Sequence, residues 1–250
     1  MPREWDAATY DRIPMPHLHW GAGAIARLEL KGNERVLDAG CGTGRVTQQL
    51  LERLPEGRVV AVDGSRAMLD QLQERLAPSM ARVQIVFADL TEPLPLDEPV
   101  DAILSTATFH WLPDHAALFQ HLAAVLKPGG RLVAECGGKG NIDRVVEALR
   151  ELGLDKPGIW NFAGPQETEA RLRSAGFVDV NAWLTRDPAV FPSGAPFETY
   201  LETVVLGAHL AHVPDDERRA LIRHIAQILP RPEVDYVRLN MVARMPTRSP

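Results

Sequence analysis

Three glycines occupy alternate positions in the stretch RVLDAGCGTGRV, residues 35–46. Gly40, Gly42 and Gly44 follow the apolar pair Val36 and Leu37. They precede Val46, Leu50, Leu51 and Leu54, which recur at helical spacing. The glycines therefore sit in a turn from a buried strand into a helix. A residue without a Cβ can take positive φ and let a ligand approach the backbone. The free N–H groups that open the next helix favour an anionic group. One glycine would suffice for a turn, so three point to a ligand. Asp63 ends a second apolar strand, RVVAVD, 19 residues beyond Gly44. A carboxylate there can accept from both hydroxyls of a ribose. The spacing G-x-G-x-G is one residue short of the dinucleotide fingerprint, and no Gly-Lys-Ser/Thr follows. The chemistry expected is nucleoside binding without a pyrophosphate.

The elements that must position these residues read as an α/β fold. Strands are expected at 35–40, 58–63, 83–89, 100–107 and 131–138, the last announced by the turn KPGG. Helices are expected between them, at 45–54, 66–76 and 115–126. Short apolar strands alternating with helices imply a doubly wound, mostly parallel, Rossmann-like sheet covered on both faces. Residues 1–30 read as an N-terminal helical cap and 31–180 as the nucleoside-binding core. Residues 181–250 hold the last strands and belong to the same domain. A helical insertion at about 196–232 reads as a lid before the last strand. That strand, 236–245, alternates apolar and polar residues and is placed toward a sheet edge.

Composition bounds the function. The chain has 250 residues, 45% hydrophobic and 24% charged, with net charge −6 and pI about 5.8. That balance argues against nucleic acid or an anionic membrane as partner. Its N-terminus does not read as a signal peptide and no apolar run spans a membrane, so a cytoplasmic protein is expected. The two cysteines, Cys41 and Cys136, imply no disulfide framework. No metal is expected, because no His or Cys pair has ligand spacing supported by further ligands.

A second cluster lies in TATFHWLPDH. His110 is the nearest candidate general base and Trp111 a candidate acceptor contact. His115 reads as the start of a solvated helix. His17 and His19 could cap the pocket. Trp160 and Tyr200 come from rear segments expected to approach the same strand ends. A pocket built there would be largely apolar with a few polar groups.

Five motifs in chain order carry a resemblance: VLDAGCGTG, AVDGSRAML, FADL, VDAILSTATFHWLPD and LKPGGRLVAE. Together they resemble the class I S-adenosylmethionine-dependent methyltransferases. WDAATYDR, FHWLPDH and ECGGKGNI are similar to its small-molecule branch, which includes trans-aconitate methyltransferase-like enzymes. The match runs well from Trp5 to Phe177 and loosely beyond. The resemblance implies a seven-stranded sheet and a set of roles. Gly40, Gly42 and Gly44 would line the methionine part of the cofactor, and Asp38 would orient its amino group directly or through water. Asp63 would hold the ribose. Asp89, flanked by Ala88 and Leu90, would address the adenine amine. Ser105 would lie under the sulfonium, and Tyr10 would cap the cofactor.

The expected activity is methyl transfer from S-adenosylmethionine to a small-molecule acceptor, chiefly by orientation, with O-methylation of a carboxylate or hydroxyl favoured. Two alternatives remain open: C- or N-methylation of a natural-product scaffold, and cofactor binding without transfer. The acceptor and the oligomeric state are not legible.

Overall fold

The computed structural model describes residues 4–13, 17–155, 158–210 and 213–247; the side chains of His17, Leu18, Asp215 and Asp216 also lie outside the description. Helices α1 (Ala7–Arg12) and α2 (His17–Leu28) lead in. The core runs β1 (Arg35–Ala39), α3 (Arg45–Glu52), β2 (Arg58–Asp63), α4 (Arg66–Arg75), β3 (Val83–Phe87), β4 (Val100–Thr106), α5 (His115–Ala124) and β5 (Leu126–Gly137). The rear half holds α6 (Asp143–Glu151), α7 (Pro165–Ser174), β6 (Val178–Arg186), β7 (Ala189–Val190), α8 (Ala195–Tyr200), α9 (Asp215–Ile228), β8 (Glu233–Val234) and β9 (Val237–Arg244).

Seven strands form one sheet in the order β3-β2-β1-β4-β5-β9-β6. The first five are parallel, and β9 runs antiparallel to both of its neighbours. The chain winds outward from β1 to β3, then returns to place β4 on the other flank of β1. Ligands of open α/β sheets bind at such a reversal, beyond the carboxyl ends of the strands. The glycine turn after β1 and the segment after β4 face each other there.

Successive strand residues serve opposite faces of the sheet. Leu37, Val60, Ile103 and Leu132 pack toward Leu118, Phe119 and Leu122 of α5. Val36, Val59, Leu104 and Val133 pack toward Leu50 and Leu51 of α3 and Leu72 of α4. A separate apolar cluster joins Ile13 and Trp20 to Val145, Leu149, Phe197, Leu201, Ile222 and Ile225. It fastens the rear helices to the N-terminal segment.

Three expectations are corrected here. β9 is interior, between β5 and β6; its Arg238 and Asn240 are buried, and β6 forms the edge. KPGG lies inside β5 as an irregularity that shifts register between Val100 and Ala102. The helix expected from Pro196 stays α-helical only to Tyr200 and then widens into a π-helical turn, Leu201–Val205. Such turns recur at functional sites.

Candidate active site

The glycine turn closes on β2. Gly40 and Cys41 donate their N–H groups to the Val62 carbonyl at 2.8 and 3.0 Å. All three glycines have positive φ, but for different reasons. A Cβ on Gly40 would meet Thr108 at 2.2 Å, and one on Gly44, the residue that caps α3, would meet Leu72 at 2.8 Å. A Cβ on Gly42 (φ 54°) would meet nothing within 4 Å. That emptiness is a cradle a ligand can fill.

Two carboxylates serve the turn. Asp63 accepts from the N–H groups of Gly42 and Ser65, both at 2.9 Å. Burial pushes its pKa up. Asp38 accepts from the Thr47 hydroxyl at 2.7 Å through one oxygen. Its other oxygen, Oδ1, is buried and has no hydrogen-bond partner among the described residues. Burial pushes the Asp38 pKa up to about 7, Thr47 opposes the shift, and the Asp63 charge adds to it. A buried carboxylate with one idle oxygen suits an ammonium group, and Asp63 at the strand end suits ribose hydroxyls. The residues present therefore fit S-adenosylmethionine.

The N-terminal segment is tied down over this turn. Asp11 accepts from the Thr43 hydroxyl at 2.9 Å, from Arg45 at 3.0 Å and from Arg75 at 2.6 Å. Glu4 accepts from the Ser65 hydroxyl at 2.8 Å, at the start of α4. These anchors bring Trp5 and Tyr10 to the cavity wall.

The cavity has a volume of about 500 Å³, within the usual range for small-molecule sites. On the flank of β2 and β3 it is lined by Gly42, Asp63, Ala88, Asp89, Leu90 and Thr91. Asp89 accepts from the backbone and the hydroxyl of Thr91. Past β4 the wall becomes aromatic. Trp111 stands between Trp5, with ring centroids 5.4 Å apart, and Trp160 at 6.4 Å. Phe162 stacks on both His110 and Trp160. The π-helical turn contributes Val204 and Val205.

The polar groups of this second flank have defined partners. His110 Nδ1 accepts from the Gly137 N–H at 3.2 Å, which leaves the proton of a neutral ring on Nε2. Asn141 Oδ1 accepts from the Val237 N–H at 3.0 Å, which leaves its NH₂. The Tyr236 and Tyr200 hydroxyls are 2.6 Å apart. Tyr200 is fully enclosed, so it donates to Tyr236, and Tyr236 keeps its own proton for the cavity it lines. Burial pushes the Tyr236 pKa well above its ordinary value, so that proton stays. Arg238, also on the wall, is a donor by nature. His110 Nδ1 and Asn141 Oδ1 are thus engaged within the protein, and the Asn141 NH₂, the Tyr236 hydroxyl and the Arg238 guanidinium belong to residues that line the cavity.

The structure brings together Tyr10, Gly40, Gly42, Asp63, Ala88, Asp89, Leu90, His110, Trp111 and Trp160 on one cavity wall. It does not place the others there. Gly44 is held for helix packing, and Asp38 lies behind the turn. Ser105 is buried and donates to the Ala39 carbonyl at 2.6 Å; Thr106, Ala107 and Thr108 line the cavity instead. His19 is paired with Asp187 at 2.7 Å, away from the wall. Tyr200 sits behind Tyr236. The His17 side chain lies outside the described residues. His115 is not solvated: it is buried, and its Nε2 bonds the Phe109 carbonyl at 2.8 Å.

Asn141, Tyr236 and Arg238 were not found by sequence reasoning, and Phe162 only as one of several rear aromatics. One signal was available for Arg238, a cation set between Val237 and Leu239 in a strand. Two more wall residues, Ala107 (φ 54°) and Ile142 (φ 53°), have left-handed backbones without being glycine. Such outliers gather at functional sites.

The fold and cavity define a nucleoside-binding enzyme of the S-adenosylmethionine-dependent methyltransferase class, and the comparisons agree. A family profile described as a methyltransferase domain matches residues 36–130. A trans-aconitate 2-methyltransferase of Acidovorax sp. (strain JS42) is 31% identical, over 90% of this chain and 88% of that protein. One from Escherichia coli O1:K1 / APEC is 33% identical, again over 90% and 88%. Among solved structures, Haemonchus contortus phosphoethanolamine N-methyltransferase 2 with S-adenosyl-L-methionine matches at TM-score 0.61 and 22% identity, over 92% of this chain and 53% of that one. The [4+2]-cyclase SpnF matches at TM-score 0.60 and 18% identity, over 92% and 81%. These two likenesses concern the fold, which hosts more than one chemistry. The chain belongs to the S-adenosylmethionine-dependent methyltransferase family that includes the trans-aconitate 2-methyltransferases. It is a methyltransferase, and S-adenosylmethionine is its cofactor. Among the described residues no helix is long and apolar enough to cross a membrane, and no cluster of three or more His, Cys, Asp or Glu could hold a metal.

Proposed function

We propose that the enzyme methylates a carboxylate oxygen of a small organic acid, with trans-aconitate the first acceptor to test. The donor flank carries this reading. Asn141 and Tyr236 offer N–H and O–H groups to the cavity, which suits an anion with no proton to remove. Asp63 and Asp89, the carboxylates on the wall, already accept from their own neighbourhood. The names of the relatives at 31% and 33% identity support the same class.

When bound, the cofactor supplies an electrophilic methyl on a sulfonium, already activated for displacement. The chain's residues supply position. Asp63 and Gly42 hold one partner, and the donor flank holds the other. The aromatic wall excludes water. Orientation of this sort is worth roughly 7–11 kcal/mol. Residues 4–13, held over the glycine turn through Glu4 and Asp11, act as the cap over the cofactor. The rear of the expected 1–30 cap does not, because α2 packs on β4 and β5 as part of the core. The insertion at about 196–232 closes the acceptor end through Val204 and Val205. The reading places the enzyme in the cytoplasm with a small-molecule acceptor.

The test incubates the enzyme with S-adenosylmethionine and trans-aconitate, with phosphoethanolamine in a parallel reaction. An acid gaining one CH₂ as a base-labile ester, with stoichiometric S-adenosylhomocysteine, is the expected product. N-methylation of the amine, with no ester from the acid, would sink the reading.

Two variants bear on the roles. Asp63→Ala is expected to weaken S-adenosylhomocysteine binding roughly tenfold to a hundredfold, with a lower Tm because two amides lose their acceptor. Calorimetry that finds unchanged affinity would remove Asp63 from the site. His110→Ala is expected to raise KM for the acid roughly tenfold or more and lower kcat by less. If His110 were a base, kcat would instead fall by about a hundredfold or more, and the acidic limb of the pH profile would vanish.

A further inference from the structure

We propose that Arg238 forms a second anion subsite in the cavity, which holds a carboxylate of the acceptor other than the one being methylated. The proposal rests on the carboxylate reading above and adds to it a residue that selects acids bearing two or more carboxylates.

Arg238 is buried in β9 and fixed on every side but one. Its Nε and Nη2 donate to the two oxygens of Glu135 at 2.8 and 3.0 Å. The Trp20 ring covers one region of the guanidinium, 4.0 Å from Cζ to the ring centroid, and the Tyr236 ring lies at 5.7 Å. A guanidinium has five N–H groups in one plane. Glu135 takes two of them, and Nη1 has no hydrogen-bond partner among the described residues. Arg238 lines the cavity, whereas Glu135 does not. A fork held this firmly loses little freedom on meeting a second carboxylate.

Sheet order separates this group from the reacting centre. The polar wall residues follow three neighbouring strands: His110 beyond β4, Asn141 beyond β5, and Tyr236 and Arg238 at the start of β9. Neighbouring strands stand about 4.8 Å apart, so the row extends across roughly 10 Å. One carboxylate covers only part of that row. The end near β4 adjoins the glycine turn, and Arg238 is at the far end. A carboxylate gripped by two N–H groups has its lone pairs engaged and is a poor nucleophile, so the grip belongs on the carboxylate that does not react. Glu135 also offsets the arginine charge. The subsite therefore suits a singly charged carboxylate better than a phosphate, whose charge at neutral pH is about −1.5 to −2.

The probes are trans-glutaconate and trans-2-pentenoate, which share a five-carbon skeleton and differ by one carboxylate. Each is titrated calorimetrically into enzyme saturated with S-adenosylhomocysteine. Wild type is expected to prefer the diacid by roughly tenfold or more. Removing Arg238 alone would strand the buried Glu135, so the variant is the neutral pair Glu135→Gln with Arg238→Gln. With S-adenosylhomocysteine affinity retained as the sign of an intact core, the preference is expected to shrink to within about twofold. A preference that survives in that protein overturns the proposal. Should the pair lose cofactor affinity, Arg238→Lys with Glu135 intact replaces it. A point charge cannot make the two-pronged contact, and an undiminished preference there overturns the proposal equally. If wild type binds neither acid and forms no ester from trans-aconitate, the carboxylate reading itself fails and takes the subsite with it.

Discussion

A Gly42→Val enzyme is expected to bind S-adenosylhomocysteine at least about a hundredfold more weakly than wild type and to lose turnover with it. The cause is local. Gly42 has φ 54°, and a Cβ there would meet no protein atom within 4 Å. The new side chain would project into open volume on the wall that also carries Asp63. A β-branched residue also resists left-handed φ, at a cost of about 1–3 kcal/mol. The first effect weakens binding and the second lowers the melting temperature modestly, while the packing behind the turn is untouched. Gly40→Val makes the contrast. Its Cβ would lie 2.2 Å from Thr108, so the turn could not close on the β4 loop and the fold itself should suffer. Calorimetry and thermal melts on both variants separate the cases. If Gly42→Val melts well below wild type yet its folded fraction binds normally, the turn is structural and the cofactor lies elsewhere.

Asp38→Asn is expected to make the free protein more stable at pH 8 and the cofactor complex weaker. Burial holds the Asp38 pKa at about 7, against an ordinary value of 3.8. Between roughly pH 4 and 7 the folded protein keeps a proton that the unfolded chain has released. The stability this group contributes is therefore full in acid and is lost as pH rises through that window. Above it, the buried charge costs the free protein up to about 4 kcal/mol. Asparagine keeps the acceptor for Thr47 and carries no charge, so it relieves that cost. A cationic ligand group near the idle Oδ1 relieves the same cost in wild type. Wild-type affinity for S-adenosylhomocysteine is accordingly expected to fall by up to about tenfold per pH unit below 7. The asparagine variant should show weaker and nearly pH-independent binding. Parallel pH profiles for the two proteins would remove Asp38 from cofactor recognition.

Much of the cavity wall beyond β1, β2 and β3 was legible in the sequence. Gly40, Gly42, Asp63 and the triplet Ala88, Asp89 and Leu90 all stand at strand ends, and strand ends are marked by short-range pattern. Apolar runs set the strands, helical spacing set α3 and α4, and glycine set the turn between them. The wall beyond β4, β5 and β9 was much less legible. His110 was read as the nearest candidate general base; it lies on the cavity wall, and its proton position depends on the Gly137 amide, supplied by another strand. Tyr200 was expected at the acceptor; it is fully buried against Tyr236, and Tyr236 lines the cavity instead. Arg238 looked like an outward residue of an edge strand, because alternation reports two faces of a strand and not which face another element covers.

The sequence by itself determined the alternation of strands and helices, the bare turn after β1 and the carboxylate at the end of β2. Each depends on φ preferences and spacings within a few residues, so no distant partner is needed to specify it. Only the tertiary structure decided that β9 enters the sheet between β5 and β6, which buries Arg238 beside Glu135, 103 residues away in the chain. It alone decided that His110 Nδ1 and Asn141 Oδ1 accept from backbone groups of distant segments. Those outcomes follow from strand order and hydrogen bonding between distant segments, and local periodicity carries no record of either.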